Sequence, residues 1–403
     1  MSGLEESNGI KSSLQEDKCI EKEVCDRVRG DISQSGELED ERLREVIRSA
    51  ICDLAKKGSI PISKRRVIEN RVFNSFRKLG VLQEFLEDDD ISEIMVNRYD
   101  EIFLERKGNF VRAKNVFSSE EVYEDVIQKI VGSRNKIVNE TNPIVDTRLS
   151  DGSRANIVLK PIAVGGSVLT IRKFPKKAFT MDRMVELKSI DSELKIFLRQ
   201  LVERRYNIFV SGGTSSGKTT FLNALTEFIP KSERVVCIED SCELKITDVP
   251  NLVRLESRDK NISGKNEITI RDLVRTSLRM RPDRLIVGEC RGAETLEMLQ
   301  AFNTGHDGGM STGHANSTKD MISRLEGMAL MAEDLPLSVI RQQIAYGIDI
   351  MIHLERRKDG RRILAEISEV RGIRNGEIVL EKIVKRDEEK DGWEWIGDIE
   401  RAK

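Results

Sequence analysis

Gly212-Gly213-Thr214-Ser215-Ser216-Gly217-Lys218-Thr219 obeys the pattern G-x-x-x-x-G-K-[ST]. Its context fits a phosphate-binding loop: an apolar strand is expected over 207–211 before it, and a helical run from Thr219 to Phe228 after it. Glycines let the backbone wrap tightly, so that amide N–H groups and the helix N-terminus face an anion. Lys218 adds a point charge and Thr219 a ligand for Mg²⁺, which makes Gly212 through Thr219, with Thr220, the expected ATP contacts.

Downstream, apolar strands alternate with helical patterns, as in a mostly parallel sheet covered by helices. Ile208-Phe209-Val210, Val235-Val236-Cys237-Ile238 and Leu285-Ile286-Val287 are the expected central strands. The second ends in Glu239-Asp240, with Glu243 close behind, and the third in Gly288-Glu289. Carboxylates leaving buried strands at the ligand edge of such a sheet can hold Mg²⁺ or activate water, although an acidic strand end can also be merely solvated. Gly305-His306-Asp307-Gly308-Gly309-Met310-Ser311-Thr312-Gly313-His314-Ala315 holds two of only three histidines, set among glycines that admit a close ligand. Arg271, Arg275 and Arg279 share one face of a predicted helix, either solvated or meeting acidic neighbours across a subunit interface. Candidate hairpins turn at Lys358-Asp359-Gly360 and at Asn375-Gly376.

Upstream, residues 1–40 are polar and read as a flexible tail, and 41–87 as a small helical unit with apolar residues at helical spacing from Leu43. An α/β domain follows over 88–175, with short strands at Ile94-Met95-Val96 and Ile102-Phe103-Leu104 and a hairpin through Lys107-Gly108-Asn109. A linker is expected at 176–190, the phosphate-loop domain at 191–385 and a C-terminal tail at 386–403.

Composition narrows the function classes. The 403 residues exceed one ordinary core. With 67 basic against 69 acidic residues the formal charge is -2, so no bulk attraction to nucleic acid is expected and direct contact with it is not. No window approaches a membrane-spanning run, and the N-terminus lacks a basic-then-apolar leader, so a cytoplasmic protein is expected. Six cysteines without a C-x-x-C pair point to reduced thiols rather than to a zinc site or disulfides.

Four elements in order resemble the Walker A, aspartate, Walker B and histidine boxes of the type II and type IV secretion ATPases. They are the loop at 212–219, Ile238-Glu239-Asp240-x-x-Glu243-Leu244, Arg279 through Glu289, and Thr304 through Asn316. Ile91-Ser92-Glu93-Ile94-Met95-Val96-Asn97, Pro143-Ile144-Val145-Asp146-Thr147-Arg148-Leu149 and Asp151-Gly152-Ser153-Arg154 are similar to the CpaF-like branch of Flp/Tad pilus systems. The resemblance spans about residues 42–385, and the tetracysteine module of other branches is absent.

The resemblance implies an α/β fold: a RecA-like P-loop ATPase domain with a preceding PAS-like α/β domain and the small N-terminal helical unit. It further implies a homohexamer at the inner face of the plasma membrane, acting on an inner-membrane platform protein. Carried over by motif, Lys218 and Thr219 bind phosphate and Mg²⁺, Glu289 serves Mg²⁺ or water, Glu239 and Asp240 activate water, and His314 senses the γ-phosphate. Arg148, Arg154 and Arg172 match arginines that such enzymes direct at phosphate. Conjugation-type secretion of DNA or effectors, and a nucleotide-gated regulatory protein, are the alternatives.

Overall fold

The computed structural model describes residues 20–31, 39–57, 60–133, 136–174, 179–258, 260 and 266–403. By its contacts the chain divides into units 1–176 and 177–403.

In the first unit, helices 20–31, Asp40–Lys57 and Ile62–Arg77 share a core of Val24, Val28, Leu43, Ile47, Ile51, Ile68, Val72 and Phe73. The helix at 20–31 corrects the flexible tail expected over 1–40, where 1–19 and 32–38 lie outside the described residues. Val24 and Val28 sit one turn apart on one face, and Glu21 pairs with Arg71 at 2.8 Å. An average over forty polar residues hides a stripe this short.

The same unit holds six antiparallel strands: Ile91–Arg98 (β1), Glu101–Arg106 (β2), Asn109–Arg112 (β3), Ile144–Arg148 (β4), Arg154–Val158 (β5) and Val168–Arg172 (β6). Their order is β3-β2-β1-β6-β5-β4. Helix Glu120–Gly132, capped by Ser119, lays Tyr123, Val126, Ile127 and Ile130 over Ile94, Ile102, Ile157, Leu169 and Ile171. One face of the sheet is thus covered, as period-two alternation requires. Leu82, Phe85 and Leu86, from the stretch read as helical unit, belong to this core instead.

The second unit is built on Ile208–Gly212 (β7), Arg234–Glu239 (β8), Asn251–Glu256 (β9), Arg284–Val287 (β10), Met310–His314 (β11), Ile350–Arg356 (β12), Arg362–Arg374 (β13), Glu377–Asp387 (β14) and Gly392–Trp395 (β15). Their order is β15-β14-β13-β12-β7-β11-β10-β8-β9. From β12 to β9 neighbours are parallel, and β13, β14 and β15 extend the sheet antiparallel. Ile208 and Val210 face helices Ser192–Glu203 and Lys218–Leu225, while Phe209 faces Glu294–Phe302, Thr318–Leu330 and Leu337–Gly347. This is the RecA-like layer order of helices on both sides of a parallel sheet. Among the described residues no helix is long and apolar enough to cross a membrane.

Three expectations change in this unit. The sheet places β11 between β7 and β10, where sequence patterning had marked only Ile208, Val235 and Leu285 runs as central strands. Met310-Ser311-Thr312-Gly313-His314 lacks an apolar run, yet Ser311 and Thr312 are buried because Thr312 Oγ1 donates to the Gly288 carbonyl at 2.8 Å and Ser311 Oγ meets Cys290 Sγ at 3.3 Å.

The linker expected at 176–190 carries a helix, Met181–Glu186, whose Thr180 cap accepts from Arg183 N and whose Met181 and Met184 are buried with Ile190. Residues 175–178 lie outside the description. The tail expected at 386–403 contains β15, with half-buried Trp393 packed against the core. Beyond it, fully buried Asp349 pairs with Arg401 and Lys403 at 2.6 Å each, and Glu369 accepts from Glu400 N and Arg401 N. Charged residues of the expected tail are here the partners of buried carboxylates.

Candidate phosphate-binding site

Parallel pairing brings the carboxyl ends of β7, β8, β10 and β11 to one edge of the sheet, with His314 in register with Gly212 and Ser311 with Val287. The loop after β7 takes positive φ at Ser215 (60°) and Gly217 (95°), a region where glycine carries no Cβ penalty. Gly217 precedes helix Lys218–Leu225 and no side chain caps it, so the amides of the first turn keep their donors for an anion. Ser216 Oγ is buried in the loop without a hydrogen-bond partner. Thr219 and Thr220 stand half-buried on the first turn.

Lys218 is 6% exposed, and burial pushes its pKa down. Its ammonium donates to the Gly213 carbonyl at 3.0 Å and lies 3.2 Å from His314 Nδ1. Two of three donors are thereby used. An ammonium can only donate, so Nδ1 is the acceptor and the ring proton belongs on Nε2, an assignment made from the network. Burial and then the Lys218 charge lower the His314 pKa, consistent with a neutral ring.

Nε2 lies 2.9 Å from Glu289 Oε1, close but out of hydrogen-bond alignment, because Oε1 is buried and makes no hydrogen bond. Glu289 Oε2 accepts from Arg291 at 2.7 Å, and Arg291 also reaches Asp240 at 3.1 Å. Lys218, His314, Glu289, Arg291 and Asp240 therefore form one continuous line of contacts.

Glu239 stands apart from that line. It is 3% exposed, and its Oε1 accepts from the backbone N–H of Glu243 (2.8 Å) and Leu244 (2.9 Å). Its Cγ lies 2.8 Å from where a Cβ on Gly288 would sit, so glycine there leaves room for the carboxylate. Burial raises its pKa despite the two N–H donors. Cys237 Sγ and Arg254 NH2 each lie 3.7 Å from Oε2.

The site suits a nucleotide with Mg²⁺ on its own chemistry. Glu289 Oε1 and Ser216 Oγ are buried polar atoms without partners, and among the described residues no group of three or more His, Cys, Asp or Glu converges on a point. Mg²⁺ in phosphate sites takes one or two protein ligands and fills the remainder from phosphate and water. Thr219, half-buried on the first turn of the loop helix, would supply one such ligand.

The sequence model of the family described as Type II/IV secretion system protein matches residues 76–362. The chain belongs to the type II/IV secretion ATPase family. It is 33% identical over 298 residues to the putative conjugal transfer protein Rv3659c of Mycobacterium tuberculosis, covering 72% of this chain and 84% of that one. It is 31% identical over 307 residues to the conjugal transfer protein TrbB of Rhizobium radiobacter, covering 75% of this chain and 91% of that one. The Legionella pneumophila ATPase DotB shares the fold, with TM-score 0.52, 22% identity and coverage of 72% of this chain and 79% of that one. This secretion ATPase is accordingly a nucleotide-binding ATP hydrolase.

The two histidines near 310 separate in the secretion ATPase. His314 closes β11 beside the loop, whereas His306 precedes β11, where the Gly309 carbonyl accepts from Ile208 N at the opposite end of β7. Arg271 and Arg275 bond Glu297 within the same chain, at 2.7 Å for Arg275, while the outer side of Arg275 and all of Arg279 remain exposed. In the first unit, Arg148 pairs with Arg154 and Arg154 with Arg172, so the three stand side by side across β4, β5 and β6.

Sequence reasoning missed Arg291, signalled only by its place two residues beyond Glu289. It missed His353, whose Nδ1 lies 2.9 Å from buried Ser211 Oγ on the loop-bearing strand and whose pKa burial lowers. It also missed Arg362, whose Nε donates to the Ser215 carbonyl at 3.0 Å and which has no local signal.

Proposed function

We propose that this chain is the cytoplasmic, homohexameric ATPase of a Flp/Tad-type pilus or related secretion filament, peripherally bound at the inner membrane and acting on a platform protein. The observation that carries its nucleotide chemistry is the line from Lys218 through His314, Glu289 and Arg291 to Asp240. The CpaF-like branch rests on Ile91–Asn97 and on Pro143–Leu149 with Asp151–Arg154.

In this reading the loop amides and the free donor of Lys218 hold the β- and γ-phosphates of ATP. Thr219 would hold Mg²⁺, which neutralises charge on the phosphate oxygens when bound, and Glu289 Oε1 is kept for water. Glu289 Oε1, free of hydrogen bonds, orients water and accepts its proton as the water oxygen bonds to the γ-phosphorus and the β-phosphate oxygen of ADP departs. Asp240 and Arg291 fix Glu289, and neutral His314 exchanges its contact with Lys218 when that ammonium turns to the γ-phosphate. Glu239 anchors the loop that carries Asp240 rather than acting as the base. Arg148, Arg154 and Arg172, side by side across β4, β5 and β6, are the guanidinium groups that the family motif would direct at phosphate.

Phosphate release by purified Lys218→Ala oligomer is the direct test. Turnover at the uncatalysed background is expected, and normal hydrolysis would overturn the mechanism. The names of the two relatives favour a second reading, a conjugation-type ATPase. Crosslinked co-purification from native membranes separates them: pilins with a polytopic membrane protein support the pilus, and relaxase or DNA supports conjugation.

A further inference from the structure

Arg362 lies outside the line of contacts that joins Lys218 to Asp240, yet it touches the phosphate loop. It opens β13, opposite Arg356 at the mouth of the β12–β13 hairpin, and donates from Nε to the Ser215 carbonyl at 3.0 Å. Its Cδ lies 3.1 Å from where a Cβ on Gly217 would sit, so its aliphatic stem rests on the residue preceding the loop helix. Two neighbouring cations of the hairpin are neutralised: Arg357 pairs with Glu388 and Asp391, and Arg361 with Asp359 and Asp391. Among the described residues Arg362 makes no ion pair, and NH1 and NH2 make no hydrogen bond.

Strand order supplies a direction. β7 bears the loop and has β11 and then β10 on one side, β12 and then β13 on the other. His314, Glu289 and Asp240 all belong to the β11, β10 and β8 side, where the Lys218 ammonium points. The terminal phosphate belongs there, so the nucleoside leaves toward the opposite flank.

We propose that Arg362 binds the nucleoside half of the nucleotide, its planar guanidinium laid against base and ribose while Nε stays on the loop. This rests on the nucleotide-site reading above. A guanidinium both stacks on aromatic rings and donates in a fixed plane, which an ammonium does not.

The test is calorimetric titration of the full chain, as wild type, Arg362→Ala and Arg362→Lys, with ADP and separately with pyrophosphate. Both variants are expected to weaken ADP about tenfold, the scale of one charge-assisted contact, and to leave pyrophosphate binding unchanged. The KM for ATP should rise by a similar factor. Equal loss of ADP and pyrophosphate would overturn the proposal by reducing Arg362 to a brace for the loop, and so would unchanged ADP binding. A wild-type chain that bound neither probe would instead overturn the nucleotide site itself.

Discussion

Replacing Glu239 by alanine separates an anchor from a base. The carboxylate is 3% exposed and satisfies the N–H groups of Glu243 and Leu244. Its removal leaves both donors unpaired at about 1–3 kcal/mol each for a buried group. Leu244 is buried and bears that cost in full, whereas Glu243 is half-buried and can recruit water, so about 2–4 kcal/mol is expected in total. For a unit of this size that lowers Tm by about 5–15 °C in scanning calorimetry.

The loss has a pH signature. Burial raises the Glu239 pKa above its unfolded value, so the carboxyl's contribution is fully present below the ordinary glutamate range and declines as pH rises through the raised value. The stability gap between wild type and Glu239→Ala therefore narrows with rising pH in urea titrations. Loss of ATP turnover with Tm unchanged and no pH trend would refute the anchor and restore Glu239 as the base.

Glu289→Gln, by contrast, should cut single-turnover hydrolysis about 100-fold or more at nearly unchanged Tm, and rapid-quench measurement checks it. Arg271→Met or Arg275→Met alone leaves Glu297, 5% exposed at its side chain, with one partner. The double variant strands the carboxylate, so it should cost about 3–5 kcal/mol, more than the summed singles, in a urea double-mutant cycle. The His314 imidazole, held below the ordinary histidine range by burial and by Lys218, should be neutral at pH 7 in nitrogen-detected NMR. A depressed histidine contributes stability present above the unfolded pKa and lost as pH falls through the window down to the folded value. Titration of His314 in the ordinary range would sink that environment.

Contiguous chemistry was legible before any coordinate. The octapeptide 212–219 carries its own turn, charge and hydroxyl within eight residues, and β8 and β10 announce themselves by apolar runs ending in carboxylates. Hairpin turns at Gly360 and Gly376 follow from local backbone preference. Identities such as Glu239 and Glu289 were equally visible, but their different surroundings were not: one carboxylate turns toward backbone N–H groups and the other lies beside His314.

Folding alone brought together residues that share no periodicity. Arg291 meets Asp240 across 51 positions, Lys218 meets His314 across 96 and Arg362 meets Ser215 across 147. The row of Arg148, Arg154 and Arg172 exists through strand register, and β11 is a central strand whose hydroxyls find partners at Gly288 and Cys290, just past the end of β10. A hydrogen bond or ion pair needs its atoms about 3 Å apart. Crossover and register place them there, and neither leaves a mark in the amino acids on one side of the contact.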